Sequence, residues 1–102
     1  MFKFVENIAL TITDGHVDLK GELTRQTVMN ISKKSIKQVV SQQCSIVNLQ
    51  QISRIDTAGL AWLFYILEQA SITNCDLTFS NIPEKLNKLI SLSGVDGFLP
   101  IE

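Results

Sequence analysis

The sequence has 102 residues, 45% of them hydrophobic and 19% charged, which fits one small domain over residues 1–102 and excludes a two-domain enzyme or a solenoid of several repeats. Nine Lys plus Arg against ten Asp plus Glu leave a formal net charge of -1, without the basic excess that phosphate neutralisation demands of a nucleic-acid binder. Two cysteines and one histidine are too few for a structural zinc site, and the longest apolar run, Leu60 to Leu67, falls far short of the ~20 residues that span a bilayer.

In chain order, Ile8, Leu10 and Ile12 alternate with Ala9, Thr11 and Thr13 before Asp14-Gly15, after which His16, Asp18 and Lys20 alternate with Val17, Leu19 and Gly21. Asp-Gly between two period-2 runs predicts a hairpin closed by a type I′ turn, because both residues tolerate positive φ. The return strand ends at Gly21-Glu22-Leu23. Thr24 is the expected N-cap of a helix carrying Val28, Ile31, Ile36, Val39 and Val40, with Lys33, Lys34 and Lys37 forming a solvated face. Cys44 to Leu49 reads as a buried strand, and Gln50 to Ile55 as a loop. Asp56-Thr57 then opens the strongest helix, which runs to about Ala70. Asp76 to Ser80 is a further strand. Pro83 sits in the first turn of a helix from Glu84 to Leu92 that Gly94 stops, and Phe98 to Ile101 is a last short strand or a packed tail. Cys44 and Cys75, each at the start of a strand, read as small buried hydrophobes with reduced thiols.

The order β-β-α-β-α-β-α requires helical crossovers. The class is therefore α/β, a mixed, mostly parallel sheet of four to five strands with an N-terminal hairpin and covering helices.

The start of the central helix carries the chemistry. Asp56 can accept a backbone N–H as N-cap, and Thr57 then places a hydroxyl at the first helical position, beside unpaired N–H groups and the positive end of the helix dipole. Gly59 in the first turn is a poor helix former and implies a close approach by another group. Capping and packing alone account equally well for these three residues. Along the helix, Leu60, Leu63, Phe64 and Leu67 form the expected core arc, with Ile66 and Ala70 at its edge, and Ala58, Trp62, Tyr65 and Gln69 lie opposite. Either neighbouring helices cover Trp62 and Tyr65, or the pair is exposed beside Thr57 as an interface hot spot. Catalysis finds no support: His16 sits in the hairpin turn, no nucleophile stands beside a base, and the five glycines are too scattered for a phosphate-binding loop. No enzyme activity, cofactor or metal is expected.

Ser45-Ile46-Val47-Asn48-Leu49 followed by Ile52-Ser53-Arg54-Ile55-Asp56-Thr57-Ala58-Gly59-Leu60 resembles the signature of STAS domains, the small sulfate-transporter and anti-sigma-factor-antagonist modules. Leu19-Lys20-Gly21-Glu22-Leu23 is similar to the end of the second strand in that family, and the resemblance extends over essentially the whole chain. Within the family, the run Asp56 to Ala61, the very apolar helix after it, the ending Leu89 to Pro100 and the free-standing length look most like the MlaB-type subunits of Mla phospholipid-transport ABC systems.

That resemblance implies a non-catalytic subunit that binds the cytoplasmic ATPase of a transporter maintaining outer-membrane lipid asymmetry. The implied contact is Arg54, Asp56, Thr57, Ala58 and Gly59 with Trp62 and Tyr65. The protein would be cytoplasmic, peripheral to the inner membrane through its partner, with no membrane insertion of its own and no nucleic-acid partner. An exposed Trp62–Tyr65 patch would also allow a homodimer without the partner. The alternative is an anti-sigma-factor antagonist, in which Thr57 is the position matching the family's phospho-acceptor.

Overall fold

Asp14 and Gly15 both take positive φ, 43° and 81°, in the computed structural model, which describes residues 4–102. They form the expected tight turn between β1 (Ala9–Thr13) and β2 (His16–Leu23), an antiparallel pair with Leu10 opposite Leu19 and Ile12 opposite Val17. β3 (Cys44–Ile55) lies parallel to β2, and β4 (Asp76–Ser80) parallel to β3, so the four-stranded sheet has the order β1-β2-β3-β4.

The chain does not enter a helix at Thr24. Thr24 and Thr27 are buried and bond within a turn: Thr27 Oγ1 accepts from Thr24 N at 3.0 Å and donates to Glu22 O at 2.6 Å. Such hydroxyl-to-backbone bonds compete with helix formation. A 3-10 turn at Val28–Asn30 follows, and α1 (Lys33–Val40) begins at Ser32, whose side chain accepts from Ser35 N.

The expected loop from Gln50 to Ile55 is the second half of β3. Asp18 and Lys20 pair with Asn48 and Gln51, and Gly21 and Glu22 with Ile52 and Arg54, so β3 carries an extra residue at each of two bulges. Each bulge breaks the period-2 pattern, which made a strand look like a polar loop. Cys44 is exposed rather than buried, because it opens β3 on the sheet face that no helix covers; Cys75 is buried.

α2 (Thr57–Ile72) follows β3 and α3 (Glu84–Leu92) follows β4. Pro83 is the N-cap of α3, not a residue of its first turn: it is extended at ψ 149°, and its carbonyl accepts from Leu86 N and Asn87 N. Gly94, with φ 70°, ends α3 as expected through Gly94 N to Ser91 O and Val95 N to Ile90 O. Phe98 to Ile101 is a packed tail with one parallel bridge, Ile101 to Phe79.

α2 touches both α1 and α3, so the helices form one layer. They cover the sheet face bearing Val17, Leu19, Val47, Leu49, Leu77 and Phe79, all buried. Each large side chain there contributes roughly 1.5–3 kcal/mol through burial. The opposite face is polar and half-open, with Asn48 Nδ2 donating to Asp18 Oδ1 at 3.1 Å.

Candidate functional site

β2 and β3 run parallel and end side by side, with Leu23 paired to Ile55. The segments after Leu23 and after Ile55 therefore emerge at the carboxyl edge of the sheet, where open α/β sheets place ligands and contacts. Asp56 is extended there and caps α2 as expected: its Oδ1 accepts from Gly59 N at 3.0 Å. Its Oδ2 accepts from Arg25 N, also at 3.0 Å, so a single carboxylate fastens the start of α2 to the turn after β2.

Leu60 N bonds to Asp56 O, which with the Gly59 bond leaves Thr57 N and Ala58 N without an acceptor among the described residues. Thr57 is exposed at the first helical position, as the motif predicts. A hollow of about 300 Å³ is lined by Thr57 and Ala58 with Asp56, Arg54, Arg25 and Thr24. Arg25 and Arg54 are exposed and, among the described residues, neither is in an ion pair. Two guanidinium groups and the positive end of α2 favour an anionic or polar partner group, opposed in part by the single charge of the Asp56 carboxylate, which two N–H bonds hold in place.

Gly59 is buried beneath this hollow, and the close approach expected there is real. The space a Cβ would take is held by the Leu23 carbonyl oxygen, with Ile55 Cγ1 2.9 Å away.

The aromatic pair separates. Trp62 is only 7% exposed and belongs to the core, while Tyr65 is 43% exposed. The buried arc of α2 runs through Gly59, Leu60, Trp62, Leu63, Ile66 and Ala70, with Phe64 and Leu67 half-buried at its edge. The expected arc was thus rotated: α2 has a helix on each flank as well as the sheet beneath, so most of its circumference is covered. A Trp62–Tyr65 surface pair does not exist, and self-association through it loses its basis. The outward stripe is Thr57, Ala61, Tyr65, Glu68 and Ile72, with Ile72 69% exposed.

The fold thus gathers Arg54, Asp56, Thr57 and Ala58 in one hollow, puts Gly59 directly below, and sets Tyr65 on the same helix further along. Sequence reasoning misses Arg25, because Thr24 reads as a helix start. The signal available was the paired ends of two parallel strands, which oblige the residues after Leu23 to meet those after Ile55. No helix among the described residues is long and apolar enough to cross a membrane.

A family model described as "Mlab, STAS domain" matches residues 7–100. Among solved structures, the chain is similar to an anti-sigma-factor antagonist from Mycobacterium paratuberculosis, with TM-score 0.72 and 20% identity over 92% of this chain and 82% of that one. It is also similar to the Bacillus cell-fate determinant SpoIIAA in its phosphorylated form, with TM-score 0.62 and 19% identity over 86% of this chain and 84% of that one. SpoIIAA in its unphosphorylated form aligns with TM-score 0.65 and 19% identity over 86% of this chain and 81% of that one. At these identities the structural likeness is one of fold.

Proposed function

The chain belongs to the STAS domain family, Mlab type, and from that premise we propose that it is a non-catalytic subunit that docks the ATPase of a phospholipid-transporting ABC complex. In this reading the protein works in the cytoplasm, held at the inner membrane by its partner, and supports assembly and activity of the ATPase. The contact is the carboxyl edge of the sheet together with the outward stripe of α2: Arg25, Arg54, Thr57 and Ala58, continuing to Tyr65.

The observation that carries it is the double use of Asp56. One oxygen caps α2 and the other holds Arg25 N, so the backbone carrying Thr57, two N–H groups without an acceptor among the described residues, and two arginines is fixed on one edge. Such preorganisation lowers the ordering cost of association. Tyr65 supplies the aromatic anchor that interfaces favour. Trp62 supports α2 from inside and touches no partner.

Co-purification of Thr57→Glu and Tyr65→Ala variants with the ATPase subunit is the test. Loss of complex in both, with the fold intact by circular dichroism, is the expected result; undiminished complex and transport in both overturns it.

A second reading has its own observation. Thr57 is exposed beside Arg25 and Arg54, where a phosphate would gain charge-assisted hydrogen bonds, and the fold is shared with a protein solved in a phosphorylated form. An anti-sigma-factor antagonist switched by phosphorylation of Thr57 would use that arrangement. Intact-mass spectrometry after incubation with an anti-sigma kinase and ATP separates the readings, since a phosphate adduct lost in Thr57→Val favours the switch.

A further inference from the structure

The seam between α1 and α2 holds a groove of about 510 Å³, floored by Ile36 and Val40 and flanked by Lys33, Lys34 and Lys37 on one side and Tyr65 on the other. A second hollow shares Lys34, Lys37 and Val40 and continues towards Thr73, whose hydroxyl donates to Val40 O at 2.7 Å where the two helices end together. We propose that this groove binds an acidic amphipathic segment of a partner protein, with aliphatic side chains on Ile36 and Val40 and carboxylates against the three lysines. It shares no lining residue with the hollow around Thr57 and meets the contact proposed there only at Tyr65, so its lysine side is tested apart from that function.

Lys33 and Lys34 are placed against the interest of their own helix, while Lys37, in its last turn, suits the negative end of the dipole. α1 has no acidic residue in its first turn, where Lys33 and Lys34 face the positive end of the helix dipole. Lys33 and Lys37 stand one turn apart and repel. Among the described residues the ion pair is Lys88 with Glu84, on α3, so no carboxylate neutralises the three. Local rules are most often broken at functional or strained sites, and Lys33 and Lys34 break one here. Their concentration here, in a chain of net charge -1, gives the groove a sign that the whole protein lacks.

Shape and charge select the occupant. The eight residues of α1 span about 12 Å, which matches two turns of a partner helix. Lipid-binding basic segments carry roughly four to eight cations, more than this groove offers, and its apolar residues form a recessed floor rather than a projecting wedge. A second copy of the chain is a poor fit: α3, whose exposed face carries Leu92, sets Lys85 and Lys88 beside Glu84 and so lacks the negative charge.

Nuclear magnetic resonance titration of the full chain tests this, with three probes: a synthetic peptide with Glu and Leu at helical spacing, the same peptide with Lys for Glu, and phosphatidylglycerol vesicles. Saturable binding of the Glu peptide is expected, with shifts at Ile36, Val40 and Tyr65 and none from the Lys peptide. Substituting Lys33→Gln, Lys34→Gln and Lys37→Gln together should weaken it by about tenfold. The double variant Lys33→Gln, Lys34→Gln should melt no lower than the parent, since it removes two cations from the positive end of the dipole, whereas lysines of purely structural value would lower the melting temperature. Thr57→Glu should leave the titration unchanged. Equal binding of the two peptides, undiminished binding by the Gln variant, shifts confined to other surfaces, or binding to vesicles alone would each overturn the proposal.

Discussion

The carbonyl oxygen of Leu23, the last residue of β2, occupies the space a side chain on Gly59 would need. The first turn of α2 therefore rests directly on the end of a strand, and the helix can approach the sheet this closely only where there is no Cβ. By helix propensity alone, Gly59→Ala should stabilise the protein by roughly 0.8–1 kcal/mol. The backbone contact reverses the sign. A net loss of about 1–3 kcal/mol, as for other overpacked sites, is expected in urea denaturation; a gain would show that Leu23 yields easily.

Asp56 serves two segments, so its replacements should separate by chemistry. Asp56→Ala removes the acceptor for both Gly59 N and Arg25 N and should lose about 1–2 kcal/mol of stability. Asp56→Asn keeps one carbonyl oxygen for the cap and should lose less. Faster amide exchange at Arg25 in both variants is the accompanying signature.

Trp62 and Tyr65 lie three residues apart on α2 and should behave as different kinds of residue. Trp62→Ala opens a core cavity and is expected to destabilise by about 3–5 kcal/mol. Tyr65→Ala should stay within about 1 kcal/mol of the parent, because the side chain is half outside the core. Thermal melting of the two variants checks this, and similar losses in both would contradict the placement of Trp62.

The cysteines differ in access. Native protein treated with iodoacetamide should take one adduct, at Cys44, while Cys75 reacts only after unfolding. Peptide mass spectrometry reads the outcome directly.

Thr27 is fully buried, with its hydroxyl bonded to Thr24 N, Glu22 O and Thr24 O in the turn that positions Arg25. Thr27→Val keeps the shape and leaves Thr24 N and Glu22 O short of a partner, which should cost about 1–3 kcal/mol. Ser32→Ala, which removes only the exposed cap of α1, should cost nearer 1 kcal/mol. Equilibrium unfolding of both ranks them.

What was legible in the sequence follows the reach of each signal. The Asp14-Gly15 turn, the Asp56 cap and the Gly94 stop depend on a few neighbouring residues, and all three formed as expected. The helix expected from Thr24 failed because Thr24 and Thr27 share a hydroxyl bond that the apolar spacing of Val28 and Ile31 does not report. The second half of β3 was hidden because its bulges shift the side-chain period midway. The burial of Trp62 depends on which helices flank α2, a property of tertiary arrangement that one helix's spacing cannot contain. At the candidate site, Arg54, Asp56, Thr57, Ala58 and Gly59 were readable because they are contiguous. Arg25 was not, since it reaches the site across 31 residues of chain through a backbone bond to Asp56.

Hydrogen–deuterium exchange of the chain, free and in complex with the ATPase subunit, addresses the central claim most directly. Thr57 N and Ala58 N have no acceptor among the described residues and should exchange quickly in the free protein. Marked slowing at these two amides and through Tyr65 in the complex is the predicted result. A complex that forms while both amides exchange as in the free protein, with protection elsewhere, would contradict docking through the start of α2.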